Sequence, residues 1–327
     1  AMSQKFGSLP FADLFVDVIR YAKNGYQVGP KSAFFWQHAV NRYQAYQPFL
    51  DTFMISGRAP AIGELVKLTD HATTLEKIAR SGGESFYRGE LAELIANDAS
   101  RHNSAFSAQD LASHECNWVD PISMEAFSAQ LHEIPPNGQG LMALIALGIL
   151  KHRDIAAMPL DSADSVHLQI EAIRIAYADI ERHLADLNHM TVSIADLLDE
   201  SYLAQRAAEI SMTAANPHPS TLGASPDTVY LTTADSSGMM VSMIQSNFRG
   251  FGSGIVVPGT GISMQNRGSG FVLEPGHPNQ VGPGKRPYHT IIPGFVTKDG
   301  QPLMSFGVMG GHMQAQGHLQ MMVRVCL

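Results

Sequence analysis

The chain of 327 residues is 45% hydrophobic and 16% charged, with a formal net charge of −8. That length and apolar content exclude a disordered tail and suffice for one large domain or two small ones. The shortage of Lys and Arg argues against nucleic acid or an anionic membrane as a partner, and two cysteines, Cys116 and Cys326, suggest no disulfide framework.

No stretch reaches the roughly 20 apolar residues of a membrane span, and Ala1-Met2-Ser3-Gln4-Lys5 is not followed by a signal-peptide core, so the chain reads as a soluble, cytoplasmic protein. From Leu9 to about His114 the pattern is helical: Phe11, Leu14, Phe15, Val18 and Ile19 recur at helical spacing, as do Ile62, Leu65, Val66 and Leu68. Residues 122–134 alternate like a strand. Pro135-Pro136-Asn137-Gly138 then turns the chain into an apolar helix from about Gly140 to Lys151. A second long amphipathic helix runs from Asp164 to Leu184, with Leu168, Ile170, Ala172, Ile173, Ile175 and Ala176 on its buried side. A Pro-, Ser- and Gly-rich segment, 215–226, reads as a linker. Beyond it, residues 229–234, 240–246 and 291–297 read as strands, with a turn at Asp235-Ser236-Ser237-Gly238 and another at Lys298-Asp299-Gly300. Residues 317–325 return to helix.

Asp227-Thr228 sits where the linker meets the first of these strands. A threonine hydroxyl is a poor nucleophile within a chain. At a new N-terminus its own α-amino group, with a reference pKa of about 7.7 to 8.0, is the base within reach of Oγ. Taken alone, Thr228 also reads as an ordinary β-branched residue at a strand start. Five further segments bear on the choice: residues 135–140, 171–179, 251–256, 282–287 and the pair Gly310-Gly311. In order and spacing they resemble the γ-glutamyltranspeptidase family of N-terminal nucleophile (Ntn) hydrolases.

The resemblance implies an α+β fold, the four-layer αββα sandwich. It also implies self-cleavage of the Asp227–Thr228 bond into a large part, 1–227, and a small part, 228–327. Counting back from the Asp235 turn places the nucleophile on Thr228 rather than Thr232 or Thr233. Ser246 stands where the family has a hydroxyl that hydrogen-bonds the nucleophile; its bland alternative is a solvated strand serine. Gly310 and Gly311 stand where backbone N–H groups meet the oxyanion. Compared with the family, the chain reads as shortened at both ends, the front segment being the one that carries an arginine for the donor's α-carboxylate.

The donor pocket departs from the family. Where a γ-glutamyl enzyme has Asn, Gln and Asp around the donor's amine, this chain has Phe248, Arg267 and Gly270, and the family's serine pair becomes His289-Thr290. An amine facing Arg267 with no carboxylate nearby is repelled, whereas a guanidinium fork suits a carboxylate. Phe248 makes the pocket smaller. Arg267 also reads as a surface arginine in a glycine loop. The expected activity is hydrolysis of the amide of a small, carboxylate-bearing acyl donor such as oxamate, through a threonyl acyl-enzyme. Alternatives are a γ-glutamyltransferase or glutathione hydrolase, a cephalosporin-acylase-like enzyme, and a scaffold homologue that has lost processing. Assembly as homodimer or heterotetramer stays open. No cofactor or metal is implied: His312 and His318 lack i, i+4 spacing, residues 279–286 lack the first Gly and the Ser/Thr of a phosphate loop, and Gly252-Ser253-Gly254 lacks GxSxG spacing.

Overall fold

The computed structural model describes residues 1–213 and 227–327; the expected linker, 215–226, lies outside the described residues. The chain divides into two compact units, Ala1–Trp118 with Gly250–Gln265, and Val119–Arg249 with Asn266–Leu327.

The first unit is helical, as the 3.6-residue periodicity requires. Its helices are α1 (Met2–Phe6), α2 (Val16–Asn24), α3 (Pro30–Tyr43), α4 (Gln47–Phe53), α5 (Thr69–Ser81), α6 (Glu84–Arg88), α7 (Glu90–Arg101) and α8 (Ala108–Ala112). One short antiparallel pair joins β1 (Tyr26–Gln27) to β2 (Leu65–Val66) and corrects the helical reading of Ile62, Leu65, Val66 and Leu68: Ile62 lies in a turn, Leu65 and Val66 form β2, and α5 begins only after Leu68, strands of two residues being too short to leave a period of their own. Trp36, Val40, Phe49, Phe53 and Val66 form the core together with Val256 and the ring of Phe251. The Trp36 indole N–H donates to the Phe53 carbonyl at 2.8 Å, satisfying the one polar atom this ring buries. The 251–256 segment serves packing here. Phe251 meets the Phe49 ring edge to face and the Trp36 and Phe53 rings at a tilt, and the Tyr43 hydroxyl donates to the Gly252 carbonyl at 2.7 Å. A Cβ at Gly254 would fall 2.3 Å from the Tyr43 ring.

The second unit holds every candidate site residue. Its elements are β3 (Ile122–Ala126), β4 (Ala129–Glu133), α9 (Gly140–Lys151), α10 (Ala163–His183), α11 (Ile194–Leu197), α12 (Glu200–Ala208), β5 (Asp227–Ala234), β6 (Met240–Phe248), β7 (Gly294–Lys298), β8 (Gln301–Phe306) and α13 (Gln314–Cys326). An antiparallel sheet runs in the order β3-β4-β7-β8, and β5 pairs with β6 separately. The single strand expected over 122–134 is instead the hairpin β3–β4. Phe127 and Ser128 reverse the chain at φ 54° and 64°, values that neither residue type signals. The strand expected over 291–297 begins only at Gly294, and Asp299-Gly300 turns it into β8 as an Asp-Gly pair should.

Helix α9 is buried on every side from Gly140 to Leu150, which is why its sequence is apolar all round. It packs against β3, β4, α10, α12 and α13. The 171–179 segment lies on α10, where Asp179 is held by Arg206 of α12 at 3.0 Å; Ile170, expected on the buried side of this helix, is instead 39% exposed, because it falls off the face formed by Leu168, Ala172, Ile175 and Ala176. Hairpin β5–β6 touches β8 through side chains, with the Ser242 hydroxyl donating to the Phe306 carbonyl at 3.1 Å.

Candidate active site

Thr228 lies at the second residue of β5, and the ladder slips one register there. Asp227 faces Phe248 and Val229 faces Gln245, so Thr228 opposes both Ser246 and Asn247. Such a bulge re-aims side chains and is common beside active sites. Here the Thr228 Oγ1–H donates to Ser246 Oγ at 3.2 Å, and the same oxygen accepts the Phe248 N–H at 2.8 Å. Ser246 is thus no solvated strand serine: it joins the candidate nucleophile to the residue that follows the bulge.

Phe248 is buried and sits at φ 81°, a conformation that a bulky residue adopts only when its surroundings hold it there. Its ring walls a cavity of about 270 Å³. Arg267, at the head of the 3-10 turn Arg267–Gly270, places its guanidinium carbon 4.7 Å from the Phe248 ring centroid, and its Nη1 donates to Thr290 Oγ1 at 2.6 Å. Arg267 is 6% exposed, which overturns its reading as a surface arginine. Burial pushes its pKa down to about 10, so it stays positive at neutral pH.

The cavity also carries Arg249, Tyr177, Tyr288, Thr290 and His312 on its wall. Burial first, then the positive charge of Arg267, lowers His289 to about 4; burial, then Arg249 and Arg267, does the same for His312. Both imidazoles are therefore neutral at pH 7. The Tyr288 hydroxyl donates to Gln139 Oε1 at 2.6 Å and lies 3.3 Å from His312 Nδ1. With the phenol proton committed to Gln139, His312 Nδ1 is the donor, and Nε2 keeps its lone pair.

Gly270, where the family has an aspartate, approaches the Tyr288 carbonyl so closely that a Cβ would come within 2.5 Å. No acidic side chain fits there without moving the Tyr288 backbone. Glu181 of the α10 end, exposed to solvent, lines the same cavity as Arg267. It was missed because it lies 86 positions before Arg267 and carries no local signal.

Gly310 and Gly311, at φ 153° and 62°, lead through a 3-10 turn into α13. Only glycine takes the first of these freely. Thr228, Ser246, His289, Gly310 and Gly311 do not themselves line the cavity; they connect to it, the hydroxyl pair through Phe248 and the glycine pair through Gln139, whose Nε2 donates to the Gly311 carbonyl at 2.9 Å. Gln139 carried no functional signal in the sequence beyond membership of the 135–140 segment, and Tyr288 carried none. Lys285 is occupied by its own loop, donating to the carbonyls of Pro278 and Gln280. Among the described residues no three His, Cys, Asp or Glu side chains are grouped to hold a metal, and no helix is long and apolar enough to cross a membrane.

The family model described as Gamma-glutamyltranspeptidase matches residues 1–327. The oxamate amidohydrolase proenzyme of Klebsiella pneumoniae is 34% identical over 320 residues, covering 98% of this chain and 60% of that protein. The glutathione hydrolase-like YwrD proenzyme of Bacillus subtilis is 31% identical over 325 residues, covering 99% of this chain and 62% of that protein. Among solved structures, the cephalosporin acylase from Bacillus halodurans superposes with a TM-score of 0.91 at 48% identity, covering 98% of this chain and 60% of that one. The chain therefore spans about 60% of the length of these relatives, and it shares the α+β fold of the Ntn hydrolases among them. It belongs to the γ-glutamyltranspeptidase family.

Proposed function

We propose that this chain carries the catalytic centre of a self-processing amidohydrolase whose donor is a small acyl group bearing a carboxylate. The observation that carries this reading is Arg267: a buried, protonated guanidinium held by Thr290 on the wall of a cavity of about 270 Å³. That volume lies just under the ~300 Å³ floor of drug-sized sites, which favours an acyl group of a few carbons.

In this reading Thr228 Oγ first attacks the Asp227 carbonyl carbon, and the peptide C–N bond breaks as the nitrogen takes the hydroxyl proton. Water hydrolyses the resulting ester, leaving a carboxylate on Asp227 and a free α-amine on Thr228. In turnover that amine takes the Oγ proton and Oγ attacks the donor amide. Gly310 and Gly311 N–H groups stabilise the oxyanion. The proton passes to the departing amine, and water then releases the acid. The donor carboxylate pairs with Arg267 and Thr290. Cleavage puts residues 1–227 in one subunit and residues 228–327 in the other. The oxamate amidohydrolase and cephalosporin acylase relatives make oxamate and dicarboxylic monoamides the donors to try first.

A second reading, γ-glutamyl transfer or glutathione hydrolysis, draws support from Glu181, whose carboxylate on the cavity wall is a partner for a donor amine. Intact-mass spectra of the wild type and Thr228→Ala are the first test. Fragments ending at Asp227 and starting at Thr228 in the wild type alone support the nucleophile; two whole chains dismiss it and favour a processing-dead scaffold. Glutaryl and γ-glutamyl p-nitroanilides, with oxamate, then separate the donors.

A further inference from the structure

We propose that Gln139 is a positioning residue that holds the oxyanion loop and the carboxylate-binding segment, residues 288–290, in one fixed register; this rests on the roles just given to Gly310-Gly311 and Thr290. Gln139 is wholly buried at the N-terminal end of α9. Its Nε2 donates to the Thr290 carbonyl at 2.6 Å and to the Gly311 carbonyl at 2.9 Å, and its Oε1 accepts the Tyr288 hydroxyl at 2.6 Å. Its backbone N–H donates to the His289 carbonyl at 2.9 Å, and the His289 N–H returns to the Asn137 carbonyl at 3.0 Å. One carboxamide therefore meets both loops and the cavity wall at once, and both of its N–H donors are used.

The polarity of this contact is fixed. Two of its partners are carbonyl oxygens, which accept and cannot donate, so only a nitrogen bearing two hydrogens satisfies both. The third partner, Tyr288, forms cavity wall and stacks on His312, next to Gly311 in the chain. Thr290 offers its carbonyl to Gln139 and its hydroxyl to Arg267. A shift of Gln139 moves the donor's carboxylate anchor and the oxyanion donors relative to each other, and misplacement by about 1 Å costs on the order of 10²-fold in rate.

The test uses Gln139→Glu, which keeps the shape and turns the donating face into an acceptor, with Tyr288→Phe, which removes only the third bond. Amide hydrogen exchange is followed at 288–291 and 310–313, and kcat is measured per active site titrated with a covalent label on Thr228. Gln139→Glu should speed exchange at both segments and lower kcat per titrated site on the order of 10²-fold, with KM for a glutaryl anilide raised relative to an uncharged butyryl anilide. Tyr288→Phe, keeping both carbonyl bonds, should lose about tenfold or less, the scale of one neutral hydrogen bond. Wild-type exchange at both segments in Gln139→Glu, or an unchanged kcat per titrated site with only less folded protein, overturns the proposal. Faster exchange in Gln139→Glu while wild type turns over no amide leaves the brace standing and removes the catalytic reading instead.

Discussion

Replacing Arg267 by alanine separates the recognition of a carboxylate from everything else the site does. The guanidinium is 6% exposed, lies 4.7 Å from the Phe248 ring centre and donates to Thr290 at 2.6 Å. A donor carboxylate bound there without it is a buried charge without its partner, a loss of about 3–5 kcal/mol. At about 1.4 kcal/mol per decade, kcat/KM for an acid donor should fall on the order of 10² to 10³-fold. An uncharged donor that lacks only the carboxylate loses nothing to this cause, so the ratio of the two kcat/KM values is the quantity to measure, by p-nitroaniline release from glutaryl and butyryl anilides. Arg267→Lys should recover part of the acid donor's rate, because an ammonium supplies charge but not the planar fork. Self-cleavage, which involves no donor, should proceed in both variants. Equal losses for the acid and neutral donors would refute the clamp and make Arg267 a support for the Phe248 wall.

Ser246→Ala removes the acceptor for both the Thr228 hydroxyl and the Phe248 amide; turnover and self-cleavage should slow about tenfold from one neutral hydrogen bond at the nucleophile, and unchanged rates in both assays would release Ser246 from its role. His289 takes its proton at about 4 in the fold against about 6.5 in the unfolded chain, so below 6.5 the unfolded state binds the extra proton. Its contribution to stability is present above pH 6.5 and is lost as pH falls towards 4, at up to about 1.4 kcal/mol per pH unit. Denaturant titrations from pH 7 to 4 should therefore show a shallower decline for His289→Gln than for the wild type, and parallel curves would contradict the assignment. Glu133 of β4 and His318 of α13 meet, fully buried, at 2.5 Å. Glu133→Ala should destabilise the protein by about 3–5 kcal/mol, whereas Glu133→Leu with His318→Leu should cost less than either single change; a double variant as unstable as the sum would show that the pair is no buried ion-pair device.

The parts of the site that the sequence made legible are those whose signals are local. Thr228 and Ser246 lie eighteen residues apart on two strands joined by an Asp-Ser-Ser-Gly turn, so a cross-strand meeting followed from period-two spacing. The burial of Arg267 was not local: nothing near it announces an apolar cavity, and only register with the family raised it above a loop arginine. Gln139 reaches Thr290 and Gly311 across 151 and 172 positions, distances at which periodicity says nothing. Strand β8 escaped notice because Pro302 argues against a strand, yet β8 is the sheet's edge, where a missing N–H is tolerated. The hairpin at Phe127-Ser128 escaped because its left-handed residues are neither Gly nor Asn.

Arg267 and Glu181, two of the charges facing the cavity, do not weigh equally in choosing a donor. Arg267 is buried, so its field reaches a bound carboxylate with little screening, while Glu181 is exposed and its attraction for an amine is shared with water. An exposed pair is worth about 0–1 kcal/mol, against about 3–5 kcal/mol for a buried charge left without its partner. Adding an α-amine to a carboxylate donor therefore changes its affinity at most about fivefold through Glu181, and the proximity of Arg267 and Arg249 works against even that gain. Removing the carboxylate costs orders of magnitude more. On the proposed reading the site is built around the acid, and whether it admits γ-glutamyl donors as poor relatives of glutaryl ones turns on a weak surface interaction rather than on the residues around Thr228.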